Sequence, residues 1–347
     1  MTNPTAAWGA TAPDSGVNPM RIDRRALRAD DVDITIDYCG VCHSDLHTAR
    51  NDWGRTHYPV VPGHEIVGTV RHVGSDVTHI RAGDRVAVGC LVDACLSCGQ
   101  CHDVLEQYCS KGVGTYNSRD ARDGAPTYGG YAKSIVVRDK FVLRIPQGLD
   151  PARAAPLLCA GITTYSPLRH WKVGPGTRVG VVGLGGLGHM GVKLAVGLGA
   201  DVTMITTSPG KAADAQTLGA QHVLISTDAD AMKAATGQFD FILDTIPVAH
   251  DLQPYLRLLR PSGNVVIVGA VDQMPGYHSG LLLGGRKSIA GSAIGGISET
   301  QELLDFCAEK QILPECEMIR MDEINHAYDR MEKADVKYRF VIDMATL

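Results

Sequence analysis

The chain has 347 residues, 44% hydrophobic and 20% charged, with a formal net charge of -5. This is enough apolar material for two ordinary domains, and the lack of a long basic run argues against a nucleic-acid or anionic-membrane partner. Residues 1–16 lack the basic-then-apolar order of a secretory signal, and ten cysteines in such a chain predict thiolates kept reduced for metal in the cytoplasm rather than disulfides.

In the first half, DVDITIDY (31–38) sets Val32, Ile34, Ile36 and Tyr38 at the period of a half-buried strand. EIVGTVRHVG and AGDRVAVG follow, each closed by glycine, and predict a small irregular β-barrel with loops. The pattern changes near residue 160. TRVGVVG (177–183) is a continuous apolar strand, and GHMGVKLAVGLGA has helical spacing. Residues 179–200 are long enough to cross a membrane, yet they hold eight glycines plus His189 and Lys193, which favours a strand, a turn and a helix. DVTMITTS, HVLI, FDFILDT and NVVIVGA then supply buried strands, separated by segments with helix-like spacing such as HDLQPYLRLLRPSG. Apolar strands alternating with helices predict an α/β fold with a parallel sheet covered on both faces. The predicted organisation is a β-rich domain over 1–160, an inserted dinucleotide-binding domain over 161–295, and a tail over 296–347 whose KYRFVID rejoins the first domain.

Two groups of metal-binding residue types stand out. Cys95, Cys98, Cys101 and Cys109 follow C-x2-C-x2-C-x7-C, the pattern of a closed, structural zinc site with no vacant position. An iron–sulfur cluster and free redox cysteines compete with it. The bacterial ferredoxin run places its fourth cysteine after three residues and follows it with proline, whereas here seven residues intervene and Ser110 follows. Cys42, His64 and Cys159 are each weak alone, because a lone buried Cys or His is more often packing than ligand. Together they match the two-thiolate, one-imidazole set of a catalytic zinc with an open fourth position, a reading that stands level with packing on residue chemistry alone.

GLGGLG, comprising Gly183, Leu184, Gly185, Gly186, Leu187 and Gly188, fits G-x-G-x-x-G after a buried strand and at the opening of a helix. That context predicts a dinucleotide pyrophosphate at the helix N-terminus. The acid that accepts from the ribose 2′-hydroxyl of NAD is replaced by Thr206, and no carboxylate lies between Val202 and Ala213. Thr207, Ser208 and Lys211 offer hydroxyls and a cation to a 2′-phosphate, so NADP is expected over NAD. The alternative for Lys211 is an ordinary solvated lysine.

GVCHSDLH, PVVPGHEIVGTV, the cysteine lobe, YGGYA and GLGGLGHMGVKLA stand in the order found in zinc-dependent medium-chain alcohol dehydrogenases. PLLCAGITTYSPL (156–168) resembles the cinnamyl-alcohol-dehydrogenase-like branch, and the resemblance covers almost the whole chain. It implies a GroES-like catalytic domain beside a Rossmann cofactor domain, with two zincs per chain, the catalytic one on Cys42, His64 and Cys159. It further implies Glu65 as the carboxylate near the metal, Ser44 as the hydroxyl receiving the alcohol proton, and His47 as the base at the outer end of that relay. Thr163 matches a residue beside the nicotinamide, His43 one near the pyrophosphate, and Arg339 a tail residue reaching the phosphates. A homodimer or homotetramer is implied too. Cys39, Cys90, Cys307 and Cys316 match no ligand position and read as packing.

The expected reaction is reversible hydride transfer between NADP(H) and a primary alcohol or aldehyde. Trp53 and Tyr116 are the aromatic candidates for the substrate pocket. Lignin-forming plant members carry a bulky aromatic just before the YN pair, where this chain has Gly114 and Thr115, so a broad aromatic, allylic and aliphatic aldehyde reductase is expected. An NAD-dependent polyol or secondary alcohol dehydrogenase is the near alternative. A zinc-free quinone or enoyl reductase would need no Cys/His trio, and a non-enzymatic zinc adaptor would need no glycine motif.

Overall fold

The computed structural model describes residues 3–269 and 273–347. They form two compact units, one running to Cys159 and resuming over Gly295–Leu347, the other spanning Ala160–Ile294.

The first unit opens with an antiparallel hairpin of β1 (Asn3–Gly9) and β2 (Asn18–Arg24). β3 (Asp31–Val41), β4 (Ile66–Val73) and β5 (Arg85–Val88) follow. The short pair β6 (Leu91–Asp93) and β7 (Val113–Gly114) brackets the cysteine lobe, and β8 (Ser134–Arg138) and β9 (Leu143–Arg144) complete this stretch. Val32, Ile34 and Ile36 are buried as their spacing predicts, but so are Asp31 and Asp33, and Tyr38 is only half-buried. The reason is pairing. β3 bonds β4 along one edge and β8 along the other, and its buried acids are paired: Asp31 with Arg25, and Asp33 with Arg71, with the His72 ring nitrogen 3.2 Å away. A carboxylate with a partner tolerates burial that an isolated one does not.

The second unit holds β10 (Arg178–Val182), β11 (Asp201–Thr206), β12 (His222–Ile225), β13 (Phe239–Asp244), β14 (Leu259–Ile267) and β15 (Ser288–Gly291). All pair in parallel, in the order β12-β11-β10-β13-β14-β15. Counted within the unit this is 3-2-1-4-5-6, the dinucleotide-binding order, with its reversal between β10 and β13. Val179, Val181, Ile242, Leu243, Val265 and Val266 are fully buried, which explains why these strands read as apolar runs without alternation. The helical reading of HDLQPYLRLLRPSG fails after Leu258. The helix is Gln253–Leu258, and β14 begins at Leu259, opposite Phe239, with an irregularity before Phe241. Pro261 has no amide to continue a helix, and Ser262 has φ +63. The 179–200 stretch is a strand, a turn and a helix, and no helix among the described residues is long and apolar enough to cross a membrane. Ala270, at the end of NVVIVGA, lies outside the described residues.

The chain then supplies the helix Ile297–Lys310, β16 (Cys316–Arg320), the helix Ile324–Glu332 and β17 (Arg339–Asp343) to the first unit. β17 lies between β16 and β3 in a seven-stranded sheet of order β16-β17-β3-β4-β5-β9, with β8 also on β3. Its antiparallel register, Phe340 opposite Val41 and Ile342 opposite Cys39, carries Arg339 to the end of β3 where Cys42 begins the next turn.

Candidate active site

In the cysteine lobe the sulfurs of Cys95 and Cys101 are 3.9 Å apart, Cys98 and Cys101 3.6 Å, Cys98 and Cys109 3.8 Å, and Cys109 and Cys95 3.5 Å. Bonds of about 2.3 Å at tetrahedral angles place thiolates about 3.8 Å apart around a zinc ion, and a disulfide would need about 2 Å. All four side chains converge, so the donor set fits a closed zinc site. The backbone amide of Lys111 points at the Cys109 sulfur, 3.4 Å away. Glu106, from the same lobe, accepts from the amide of Ile297 at 3.1 Å and ties the lobe to the helix Ile297–Lys310.

The second cluster is assembled from three places in the sequence. Cys42 follows β3 and caps the helix His43–Arg50, His64 and Glu65 lead into β4, and Cys159 follows the short turn Ala155–Leu158. The donor atoms of these four buried residues all lie within 4.8 Å of one another, and the two sulfurs are 3.9 Å apart, again tetrahedral rather than disulfide spacing. The hydrogen bond from Cys159 holds the Cys42 thiol well below its ordinary pKa, with His64 adding to the effect, while Cys159 is pushed up.

Asp45, which no motif reading singled out, is the hub beneath this cluster. It is fully buried, accepts from the amides of Cys42 and Gly63 at 2.9 Å each, and lies 3.0 Å from His64 Nδ1 and 3.4 Å from the Tyr131 hydroxyl. Burial works against charge on His64, yet the Asp45 carboxylate raises its pKa well above the usual value. With Nδ1–H donated to Asp45, the other ring nitrogen is free to ligate. The sequence signal for Asp45 is its place three residues after the helix-capping Cys42, where an acid reaches back to the cap amide.

Glu65 is completely buried and pairs through Oε1 with Arg339, while its Oε2 has no hydrogen-bond partner. Burial lifts its pKa to about 7, against the pull of Arg339. Arg339 is therefore no surface cation. It is 5% exposed, and one of its guanidinium nitrogens is committed to Glu65. Cys90, expected as packing, sits with its sulfur 3.7 Å from the carbonyl of Leu158, next to Cys159.

On the helix His43–Arg50, His43 is exposed and Ser44 half-buried. His47 Nδ1 lies 2.7 Å from the Asp52 carboxylate, and the His47 ring is 5.3 Å from that of Trp53. Asp52 is a second residue that sequence reasoning missed. The ring of Tyr116 lies 5.6 Å from the His64 imidazole.

In the second unit, Gly183 has φ +89, and a Cβ on Gly188 would come within 1.8 Å of the Gly183 carbonyl. Both positions demand glycine. At Gly185, by contrast, a Cβ would meet nothing within 4 Å, leaving a backbone cradle open in front of the helix Gly186–Gly197, in which Leu187 is the second residue. That arrangement suits a pyrophosphate. At the end of β11, Thr206 is buried, Thr207 is exposed, and the amide of Ser208 donates to Thr206 Oγ1 at 3.2 Å. Lys211 Nζ donates to the Leu184 carbonyl at 3.1 Å, which sets its charge against the glycine turn. Thr163 is buried in the helix Ala160–His170.

Two family models match the chain: the alcohol dehydrogenase GroES-like domain over residues 28–147 and the zinc-binding dehydrogenase over residues 186–309. Aldehyde reductase YahK of Escherichia coli (strain K12) is 53% identical over 345 residues, covering 98% of each chain. NADP-dependent alcohol dehydrogenase C 1 of Mycolicibacterium smegmatis is 51% identical over 344 residues, covering 99% of this chain and 98% of that one. The solved structure of the cinnamyl alcohol dehydrogenase SbCAD4 from Sorghum bicolor superposes with a TM-score of 0.96 at 44% identity, covering 99% of this chain and 98% of the other.

Proposed function

Because the chain belongs to the zinc-binding alcohol dehydrogenases, with a GroES-like domain followed by a dinucleotide-binding one, we propose that it is an NADP-dependent alcohol dehydrogenase working as a broad aldehyde reductase. The observation that carries this reading is the pair of donor clusters: one closed by four thiolates, one bringing two thiols, an imidazole and a carboxylate within 4.8 Å of one another, with its sulfurs 3.9 Å apart. Relatives named as an aldehyde reductase and an NADP-dependent alcohol dehydrogenase support it.

Cys42, His64 and Cys159 would hold the catalytic zinc, and Cys95, Cys98, Cys101 and Cys109 the structural one. Zinc at the open site supplies Lewis acidity, which acidifies an alcohol and polarises a carbonyl, and NADP supplies the hydride carrier. The chain's own residues do the remaining work. Asp45 fixes the ring orientation of His64, and Glu65 keeps a second carboxylate beside the thiols without hydrogen-bonding its inner oxygen. Ser44 passes the proton outward, and His47 holds it with its Nδ1 against Asp52. Gly183, Gly185, Gly186, Leu187 and Gly188 seat the pyrophosphate, with His43 as a further contact. Thr206, Thr207, Ser208 and Lys211 would receive the 2′-phosphate, and Thr163 would lie on the nicotinamide side of the site. Arg339, spent in part on Glu65, is assigned to the phosphates through its remaining donors. Trp53 and Tyr116 shape the substrate pocket.

We infer a cytoplasmic protein, supported by ten cysteines of which none forms a disulfide. A homodimer or homotetramer formed through the second unit is supported by β15, an edge strand, and by Leu283, 82% exposed just before it in sequence.

The test is zinc per chain on dialysed protein, with NADPH oxidation on an aldehyde. Two zincs in the wild type, falling to one in Cys159→Ala with activity lost and the fold kept, is the expected result. One zinc in both proteins would overturn the reading.

A further inference from the structure

Arg24, at the end of β2, is 6% exposed, and no carboxylate pairs with it among the described residues. Its guanidinium instead donates to two successive main-chain carbonyls, Tyr128 and Gly129, the latter at 2.7 Å, while Nε has no partner. Burial pulls its pKa down to about 9. A buried cation whose hydrogen bonds all go to carbonyls is costly to the fold, a cost the nearby Asp33 carboxylate offsets in part, and its position shows what the cost sustains.

The turn that Arg24 grips is itself docked on the segment that delivers His64. Its amides point into that segment one after another: Gly129 to the Val61 carbonyl at 2.7 Å, Tyr131 to Pro62 at 3.0 Å and Gly130 to Gly63 at 2.8 Å. There is no slack between the two turns. A Cβ on Gly129 would stand 2.3 Å from the Pro62 carbonyl oxygen, and one on Gly63, where φ is +101, would stand 2.8 Å from the Gly130 nitrogen. A second route leads to the same imidazole. The hydroxyl of Tyr131 lies 3.4 Å from the Asp45 carboxylate, which accepts from Gly63 and faces His64 Nδ1.

We propose that Arg24 is a positioning residue for His64, clamping the Tyr128–Tyr131 turn so that the Pro62–Gly63 backbone and Asp45 present the imidazole in its ligating orientation. This inference rests on the assignment of Cys42, His64 and Cys159 to one zinc. Arg24 hydrogen-bonds no metal-ligand residue, and its effect is transmitted by main-chain hydrogen bonds between two glycine turns packed too closely to admit a Cβ.

The experiment follows zinc release from the purified, zinc-loaded protein under EDTA, resolving two zincs per chain, with Cys159→Ala identifying which phase belongs to the trio. In Arg24→Met the trio's zinc should leave about tenfold faster or more, the scale seen when the support of a ligating histidine is removed, while the cysteine-lobe zinc leaves at the wild-type rate. Arg24→Lys, which retains a cation and donors for the two carbonyls, should recover much of the wild-type rate. Gly129→Ala approaches the same joint from the other side and should reproduce the selective loss, so it decides the matter if Arg24→Met does not fold. A folded Arg24→Met or Gly129→Ala protein with wild-type release of both zincs, or with both accelerated alike, would show Arg24 to be general scaffolding. Two zincs retained in Cys159→Ala would instead sink the ligand assignment itself, and the inference with it.

Discussion

Arg339 and Glu65, 274 positions apart, meet as a buried ion pair at the junction of β17 with the residue that leads into β4. Removing Glu65 leaves Arg339 charged and buried without a counterion, and removing Arg339 leaves Glu65 buried without the group that favours its ionisation. Arg339→Met should therefore destabilise the protein by about 3–5 kcal/mol, whereas Arg339→Met combined with Glu65→Gln should recover most of that loss. Urea unfolding of the two single variants and the double variant closes the cycle. Additive losses would show that the two side chains do not act as a pair.

Asp45 supports His64 directly and is expected to matter more to metal than to fold. Asp45→Asn keeps the shape and an acceptor oxygen but removes the charge facing Nδ1. Zinc affinity at the trio should weaken by about 10–100-fold, measured by competition with a chromogenic chelator, while the four-cysteine site holds its zinc unchanged. Equal weakening at both sites would point to global loosening.

Cofactor choice is expected to turn on the end of β11. Thr206→Asp puts a carboxylate where a 2′-phosphate would approach, and like charges brought together cost several kcal/mol. kcat/KM for NADPH should fall by about 100-fold or more while that for NADH holds or rises. Lys211→Ala should raise the KM for NADPH with little effect on NADH. Parallel changes with both cofactors would mean that these residues do not read the ribose.

Glu106 links the cysteine lobe to the amide of Ile297 at the start of a 14-residue helix. Glu106→Ala deletes a charge-assisted hydrogen bond from the Ile297 amide to a buried carboxylate, a loss of roughly 1.5–3 kcal/mol, visible as a lower Tm. Gly296→Ala should be worse tolerated, since its Cβ would stand 1.9 Å from the Val104 carbonyl oxygen. A Tm unchanged in both would mean that the lobe is held elsewhere.

What could be read from the sequence was whatever is written locally. The cysteine lobe and GLGGLG are short spacings whose chemistry depends on a single turn, and the parallel sheet shows in apolar strands recurring between helices. The trio is different. Cys42 and Cys159 lie 117 positions apart, so no spacing rule joins them, and the resemblance to a family was needed to place them together. Asp45 and Asp52 escaped notice because an acid on a polar helix or loop looks like a solvated one until the fold shows its partner. Arg24 escaped for the opposite reason: its acceptors are main-chain carbonyls, which carry no side-chain signature. LRLLRPSG has helical spacing, yet β14 starts at Leu259 because strand pairing with Phe239 prevails over periodicity beyond Leu258.

The central place of β17 has a consequence for biosynthesis. Residues 160–294 are continuous, and every strand of their sheet is available once β15 has been made. The other unit must wait for a strand that follows Cys159 by about 180 residues, since β17 sits between β16 and β3. At bacterial and eukaryotic translation rates of roughly 5–20 residues per second, the nascent chain spends about 10–40 s with the exit edge of β3 unpaired and Glu65 without its arginine. The thiols of Cys42 and Cys159 are both present throughout that interval, so metal delivered before Arg339 emerges would meet a half-built site.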